Sequence, residues 1–358
     1  MKPVRRGSSS PCRVLAGGAV VAALLACGTP AAGSATSWQF VRPGGKTGCG
    51  HGGKFGFWAR VADLKRLLVF FEGGGGCFSY RTCAPGSTWF DPVVNYADSP
   101  ARMLGIFDLG DSRNPLRDWS MVVIPSCTGD VFIGSTDHTY RQGTKRLVIR
   151  HRGWYNGEAA LGWAFRHIQA PERVLVAGSS AGSVGSAFHA PEVIEHYGGA
   201  HTSQLGDSLA FVFPHPLSLT EYHGLEHLPP WLRGDPRLRP GRFTMVRFLA
   251  RLTSHYPRST FARFNFRADE VQARFYTADG GKRSGFTPAL LAAEQKLHAE
   301  APRYRSFLSC GRGHTILPLW RFFSLRAGGV GLRDWTARIA EGRPVRSRAC
   351  TPRAAPAS

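Results

Sequence analysis

The sequence lacks an apolar segment long enough to cross a lipid bilayer, which takes about 20 apolar residues. The apolar stretch 14–26 is too short, and no later segment is apolar enough. This stretch follows Lys2, Arg5 and Arg6 and precedes small residues, an order that is typical of a secretory signal peptide. We therefore predict that residues 1–35 are a leader and that the rest of the chain is secreted or extracytoplasmic.

The leader contains a second signal. Leu24-Leu25-Ala26-Cys27 resembles a bacterial lipoprotein cleavage box, although the bulky Leu25 makes the match imperfect. Cleavage there would leave Cys27 lipidated on a membrane surface, whereas cleavage near Ala35 would release the chain. The sequence leaves both outcomes open, and a lipid at Cys27 is the one membrane contact that it predicts.

Internal repeats and long low-complexity linkers are also absent. Removal of the leader leaves about 320 residues, which is enough for one large domain with insertions. The last residues are rich in Pro, Ala, Ser and Arg, a composition that is typical of a loosely ordered terminus. We predict a leader (1–35), one catalytic domain (36–342) and a loosely ordered tail (343–358).

No CxxC pair occurs, which argues against a zinc site, and we predict no metal. Beyond the leader the chain has an even number of cysteines, which in an exported protein indicates disulfides. Sequence alone cannot choose among their 15 pairings. A disulfide between Cys77 and Cys83 would close a short loop, and one between Cys310 and Cys350 would hold the tail. The candidates are Cys49, Cys77, Cys83, Cys127, Cys310 and Cys350.

Acidic residues are scarce: the chain has 24 Asp and Glu against 45 Lys and Arg, a formal net charge of +21. A basic surface can concentrate polyanions such as acidic polysaccharides or nucleic acids. The charge is scattered, however, and the sequence contains no recognisable nucleic-acid module. We therefore predict no nucleic-acid partner, and an arginine-rich solvated surface is the alternative explanation of the charge.

One stretch combines a strand, a tight turn and a helix. The apolar run 174–177 is long enough for a buried strand, and the small residues Gly178-Ser179-Ser180-Ala181-Gly182 follow it. This Gly-x-Ser-x-Gly pattern is a nucleophile elbow, in which small neighbours let the backbone lift a serine hydroxyl above a sheet. The alternative is an ordinary Gly/Ser-rich turn. We predict that Ser180 is a nucleophile.

A run of four glycines follows a second predicted strand, 67–71. Such a run lets backbone N–H groups approach a ligand closely. A flexible loop or a phosphate cradle are alternatives, but the Gly-Lys-Ser/Thr ending of a P-loop is absent. Enzymes with a nucleophile elbow combine the amide after the nucleophile with an amide from an earlier loop. We predict Ala181 with Gly74 or Gly75 as oxyanion-hole donors.

The remaining elements indicate the fold class. Residues 121–125 form another apolar strand, and 157–168 has apolar residues at helical spacing. Alternating strands and helices predict an α/β fold with a mostly parallel sheet, helices on both faces and loop insertions. Such sheets carry their chemistry at the carboxyl ends of the strands.

A serine nucleophile requires a base and an acid that orients it, in the chain order Ser, then Asp or Glu, then His. His314 lies late in the chain on the glycine-rich segment 310–315, just after an apolar stretch. Asp207 and Asp269 both satisfy the order of the acid. Because the acid is expected after a later strand, we predict Asp269, with Asp207 as the alternative acid and otherwise a loop-fixing carboxylate.

The chain resembles the pectin acetylesterase family, which includes the Notum carboxylesterases. The resemblance rests on ordered segments that cover most of the chain from about Cys49 to Thr315. These segments are Cys49-Gly50-His51-Gly52-Gly53, Phe71-Glu72-Gly73-Gly74-Gly75-Gly76-Cys77, Ile124-Pro125-Ser126-Cys127-Thr128-Gly129-Asp130, Gly153-Trp154-Tyr155-Asn156-Gly157, Gly178-Ser179-Ser180-Ala181-Gly182, Gly206-Asp207-Ser208, Ala268-Asp269-Glu270-Val271-Gln272 and Gly313-His314.

The resemblance implies an α/β-hydrolase-like fold, the triad Ser180, Asp269 and His314, and oxyanion donors at Gly74, Gly75 and Ala181. Two positions depart from the family pattern. Gly75 and Gly76 stand where a tryptophan is common, and Leu209 follows Asp207-Ser208 where glycine is frequent. The first change borders the expected acyl pocket, so the acyl-chain preference stays open.

These observations predict a secreted serine carboxylesterase that hydrolyses acetyl or other small acyl esters, on an acylated carbohydrate, through an acyl-enzyme. No metal or organic cofactor is required. Two alternatives stay open: a long-chain acyl esterase or thioesterase with the same triad, and a non-catalytic secreted binding protein on the same fold.

Overall fold

The computed structural model describes residues 37–215, 224–239 and 241–351. The predicted leader and Cys27 lie outside these residues. The predicted tail is described as far as Thr351. Within the described ranges, no helix has both the length and the apolar character that a membrane span requires.

The strands of the described chain comprise a central sheet and two short antiparallel pairs. They are β1 (Gln39–Val41), β2 (Phe57–Arg60), β3 (Asp63–Phe71), β4 (Trp119–Ile124), β5 (Thr136–Gln142), β6 (Lys145–His151), β7 (Arg173–Ser179), β8 (His201–Asp207), β9 (Thr260–Phe266), β10 (Arg305–Ser309), β11 (Arg326–Ala327), β12 (Val330–Gly331) and β13 (Arg348–Ala349).

The α-helices of the described chain mostly follow the strands of the central sheet. They are α1 (Tyr80–Cys83), α2 (Gly153–His167), α3 (Ala181–His196), α4 (Pro230–Arg233), α5 (Met245–His255), α6 (Glu270–Ala278), α7 (Phe286–Glu300) and α8 (Leu332–Ala340). Short 3₁₀ helices occupy Tyr96–Asp98, Pro100–Arg102, Gly105–Phe107, Arg283–Gly285 and Trp320–Phe323.

The central sheet has the order β1-β2-β4-β3-β7-β8-β9-β10-β13. The pairings from β4 to β13 are all parallel, whereas β1 and β2 pair antiparallel at one edge. The prediction of a mostly parallel sheet is therefore confirmed. Because the strands β3, β7, β8, β9 and β10 are parallel neighbours, their carboxyl ends lie along one edge of the sheet.

Alternate residues of the central strands enter two separate cores. In β3, Leu68 and Phe70 belong to one core, and Leu67, Val69 and Phe71 belong to the other. Helix α8 packs in the first core, and α2 and α3 pack in the second. A sheet covered on both faces explains why its strands are nearly continuous apolar runs.

Three disulfides are present, namely Cys49–Cys127, Cys77–Cys83 and Cys310–Cys350. The predicted use of cysteine in disulfides is therefore confirmed. The second and third are the pairings that chain spacing suggested. The third joins the residue that follows β10 to the residue that follows β13, and these two strands also pair in parallel.

We expect the double variant Cys310→Ser/Cys350→Ser to fold with lower stability. The bridge closes a separation of 40 residues, for which loss of the constraint on the unfolded chain costs about 3 to 4 kcal/mol. Urea unfolding of the purified protein measures the change. Ala349→Ser is the control, because the Ala349 side chain is exposed and its replacement leaves the bridge intact. An unchanged unfolding midpoint in the double variant contradicts the prediction.

Candidate active site

Ser180 lies in the sharp turn between β7 and α3. Its backbone has φ 52° and ψ −121°, and non-glycine residues rarely adopt a positive φ. The Ser180 amide donates a hydrogen bond to the Asp207 carbonyl at 2.7 Å, which ties the turn to the neighbouring strand β8. The strained residue thus stands at the carboxyl end of a central strand, where backbone strain is often associated with function.

The two glycines of the elbow are required by the packing around Ser180. A Cβ atom at Gly182 would lie 1.9 Å from the carbonyl oxygen of Phe71, and one at Gly178 would lie 2.1 Å from the carbonyl oxygen of Gly182. Both contacts are with backbone atoms, so a side-chain rotation cannot relieve them. The first turn of α3 therefore approaches the end of β3 as closely as two backbones allow.

His314 lies in the loop after β10 and contacts both of its predicted partners. Its Nε2 is 2.7 Å from Oγ of Ser180, and its Nδ1 is 2.8 Å from Oδ2 of Asp269. An ionised carboxylate only accepts hydrogen bonds, so Nδ1 donates to Asp269 and Nε2 is free to accept from the serine hydroxyl. This is the tautomer that a general base next to a serine needs.

Asp269 is fully buried at the start of α6 and is held by Gln272. The Gln272 amide donates to Oδ1 at 2.9 Å, and the Gln272 side chain donates to Oδ2 at 2.8 Å. Gln272 also donates to Oδ1 of Asn265 and accepts from the amide of Ala210. The sequence analysis assigned no role to Gln272, although Asp-x-x-Gln at a helix start is a capping pattern that could have indicated one.

The alternative acid, Asp207, is also fully buried but contacts the loop around His314 and not the imidazole. Its Oδ2 accepts hydrogen bonds from the amides of Ile316 and Leu317, at 2.9 and 2.8 Å. The Ser208 hydroxyl lies between Oδ1 of Asp207 and the carbonyl of His314. Burial raises the pKa of Asp207 to about 6, although these hydrogen bonds oppose the shift.

The predicted oxyanion donors differ in their position. Gly75 and Ala181 line a cavity together with Ser180 and His314, whereas Gly74 packs against Ser126. Within the described chain the amides of Gly74 and Gly75 donate to no protein acceptor. Ala181 is the first residue of α3, where a helix leaves its N–H groups unpaired. The amides of Gly75 and Ala181 are therefore free to bind an anionic oxygen beside Ser180.

The same cavity has an apolar wall that the sequence analysis did not predict. The wall combines the segment after β8, the first turns of α6 and the loop after the glycine run. An alkyl or acyl group is the ligand that such a surface suits. The apolar side chains that line it are Phe78, Val131, Leu209, Phe211, Phe213, Val271 and Phe275.

The chain is similar to known proteins both in sequence and in fold. A sequence model of the family described as pectinacetylesterase matches residues 45–222. Pectin acetylesterase 4 of Arabidopsis thaliana is 25% identical over 132 residues, which are 36% of this chain and 31% of the relative. Palmitoleoyl-protein carboxylesterase notum1 of Xenopus laevis is 30% identical over 148 residues, 38% of this chain and 28% of the relative.

The chain thus spans about a third of the length of these curated relatives. Among solved structures, the Wnt deacylase Notum from Drosophila superposes with a TM-score of 0.64 at 16% identity, over 87% of this chain and 96% of that chain. This likeness confirms the predicted α/β-hydrolase-like fold. The resemblance seen in the sequence motifs is likewise confirmed, because the matching family model and the curated relatives are those of pectin acetylesterases and Notum carboxylesterases.

Proposed function

We propose that the protein is a serine carboxylesterase that works through an acyl-enzyme. The observation that carries the proposal is the continuous hydrogen-bonded path from Ser180 through His314 to Asp269. A nucleophile, a base and an orienting carboxylate in this arrangement are the groups that acyl transfer requires. An apolar cavity at the serine adds a place for the acyl group.

In the first half-reaction His314 accepts the Ser180 proton while the serine oxygen attacks the ester carbonyl. Asp269 stabilises the imidazolium that forms, and the amides of Gly75 and Ala181 bind the oxyanion. The imidazolium then protonates the leaving alcohol, and the acyl-enzyme remains. In the second half-reaction water replaces the alcohol, His314 accepts its proton, and collapse of the second tetrahedral intermediate releases the acid and restores the serine.

The names of the relatives support an ester substrate. One relative is named for acetyl ester hydrolysis on pectin, and another for removal of a palmitoleoyl group from protein. We propose that this chain acts on acetyl or other small acyl esters of a carbohydrate. We also propose that it does so after export, which the three disulfides and the leader support.

A second candidate, the hydrolysis of longer acyl esters, is favoured by the wall of the cavity. Phe211 and Phe213, in the segment after β8, form one side of it, and Val271 and Phe275, on α6, form another side. An acetyl group covers little of this surface, whereas a longer chain buries more of it. Each buried methylene contributes about 0.8 kcal/mol, or about fourfold in binding.

We expect Ser180→Ala to lower kcat on any ester by about 10⁶-fold, because no other group supplies the attacking oxygen. Asp269→Asn should lower kcat by about 10⁴-fold, because the amide stabilises the wrong imidazole tautomer. Stopped-flow or steady-state assays with p-nitrophenyl acetate and butyrate measure both. Asp207→Asn is the matched control and should keep kcat within about tenfold. Full activity of Ser180→Ala, or equal losses in the two aspartate variants, contradicts the assignment.

The two candidate substrate classes are distinguished by measuring kcat/KM for a series of p-nitrophenyl esters from acetate to octanoate. If the cavity binds a longer acyl chain, kcat/KM increases by about fourfold per methylene until the cavity is filled. Phe275→Ala then removes the increase and leaves acetate hydrolysis within about twofold. Leu64→Ala, an exposed change at the opposite end of β3, is the control. A maximum at acetate that Phe275→Ala does not move supports the small-acyl substrate.

The loop-fixing role of Asp207 predicts a pH-dependent stability. Its pKa of about 6 in the fold lies above the value of about 3.9 in an unfolded chain. Between these two pKa values the folded state therefore binds more protons than the unfolded state. The resulting contribution of Asp207 to the free energy of unfolding is fully present below about pH 4 and is lost as the pH rises through 6. Two pKa units correspond to about 2 to 3 kcal/mol.

Asp207→Asn has no charge to titrate, so its stability relative to the wild-type protein should increase by about this amount from pH 4 to pH 7. Urea unfolding of both proteins at several pH values measures the difference in their free energies of unfolding. All other titratable groups are the same in the two proteins, so their contributions cancel in this difference. A difference that is constant with pH contradicts the role of Asp207 as a carboxyl group that burial keeps protonated below pH 6.

A further inference from the structure

A cluster of three ionisable side chains lies between α2 and α3, separate from the esterase site. Glu158 belongs to α2, and His189 and Glu192 belong to α3. One oxygen or nitrogen atom from each of the three lies within 4.8 Å of the other two. His189 is nine residues beyond Ser180, which is about 13 Å along the helix. The proposed ester hydrolysis makes no use of these groups.

The orientation of His189 is fixed by the protein. Its ring stacks between those of Phe71 and Trp154, with centroid distances of 5.0 and 4.2 Å, and the side chain is fully buried. Its Nε2 is 3.1 Å from the carbonyl oxygen of Phe132. Because a carbonyl only accepts, Nε2 carries the hydrogen and Nδ1 presents a lone pair. Nδ1 has no hydrogen-bond partner and points at Oε1 of Glu158, 3.8 Å away.

The two carboxyl groups also present unpartnered atoms to this space. Oε1 of Glu158 and Oε2 of Glu192 are buried and have no hydrogen-bond partner. Three atoms that can bind a cation therefore lie close together, and without a cation a proton shared between Glu158 and Glu192 links the two carboxyl groups. Burial without such compensation is costly. Either a proton or a cation at the centre relieves this cost.

We propose that Glu158, His189 and Glu192 bind a divalent transition-metal cation, with Zn²⁺ as the expected ion. One imidazole and two carboxylates are ligands that Zn²⁺ accepts, and the two carboxylates balance its charge. A ligating histidine commonly donates its other N–H to a backbone carbonyl, as His189 does to Phe132. Three protein ligands leave one tetrahedral position for water, which the 38% exposure of Glu158 admits.

The ligand atoms need only a small adjustment to bind the ion. Tetrahedral ligands at about 2.1 Å from Zn²⁺ are about 3.4 Å apart, so atoms up to 4.8 Å apart must close by up to about 1.4 Å. The glutamate side chains are long enough to supply this by rotation. The missing CxxC pair, from which we predicted no metal, does not bear on a site of histidine and glutamate. The spacing His-x-x-Glu places both α3 ligands on one face of the helix.

A proton is the alternative occupant of the cluster, because Glu192 and Glu158 share a hydrogen bond when no cation is bound. Burial lowers the pKa of His189 to about 4, so the imidazole is neutral at physiological pH. Burial, and then the neighbouring Glu158 and Glu195, raise the pKa of Glu192, which therefore holds a proton when no cation is bound. His227 is the other titratable group that acts on His189.

The test uses the untagged, chelator-treated and dialysed protein, titrated calorimetrically with ZnCl₂. We expect one ion per chain and an increase in Tm of about 2 °C or more on binding. Glu158→Gln and Glu192→Gln should each weaken binding at least about tenfold. Glu172→Gln, which removes an exposed glutamate paired with Lys65, is the matched control and should bind as the wild type does.

Two results overturn the proposal. One is the absence of a saturable Zn²⁺ site in the wild-type protein, and the other is equal affinity in the wild type and the Glu158 and Glu192 variants, which would mean that the ion binds elsewhere. Glutamine keeps the size of glutamate, and the Tm of each metal-free variant reports its folding. If Glu192→Gln does not fold, the partly exposed Glu158→Gln decides the question.

Discussion

The site depends on the close approach of three backbone segments, namely the end of β3, the end of β7 and the first turn of α3. Gly182 would place a Cβ atom 1.9 Å from the carbonyl oxygen of Phe71, so the helix can begin there only with glycine. Ser180, two residues earlier in the same turn, has a positive φ. Gly73 would place a Cβ atom 3.1 Å from that of Ser180, which brings the glycine run over the serine. This close packing therefore brings the glycine run and Ser180 together at one end of the sheet.

The imidazole depends on a different set of constraints, because His314 lies on an irregular loop. Asp207 accepts from two amides that follow His314, and Ser208 bonds to the carbonyl of His314 itself. The Cys310–Cys350 bridge fixes the start of the loop. Because these contacts restrict the backbone of the loop, less conformational entropy is lost when the His314 side chain is fixed. Asp207 and Asp269 thus divide two tasks, since one fixes the loop and the other fixes the ring.

Local patterns predicted the parts of the site that lie within a few residues of each other. The elbow around Ser180 and the glycine run after β3 each follow an apolar strand, and Asp269 was preferred to Asp207 because the acid is expected after a later strand. Strand bounds were predicted less well, because β3 begins at Asp63 with exposed residues that carry no apolar signal. The hairpin of β5 and β6 was not predicted for the same reason, because its strands are mostly polar. Antiparallel β1 and β2 are short and left no pattern to find.

Features that join distant segments could not be predicted in this way. Gln272 connects Asp269, Asn265 and Ala210, and only the fold brings these together. The apolar wall likewise combines loops from four parts of the chain. The pairing of Glu158 with His189 requires the packing of α2 against α3, which helical periodicity does not specify. Sequence patterns therefore indicated residues that lie in a recognisable motif, remote partners included, and missed residues whose contacts no motif specifies.

Helix α6 couples the acyl cavity to the imidazole. Asp269 caps its start and orients His314, while Val271 and Phe275, four residues apart on one face, line the cavity. Gln272 lies between them and bonds both to Asp269 and to Ala210, which stands between the cavity residues Leu209 and Phe211. A shift of α6 that makes room for a different acyl group therefore also moves the carboxylate that holds the base. In the proposed esterase, a change of acyl group that displaces α6 as a whole would therefore act on both the cavity and the imidazole through Gln272 and Asp269.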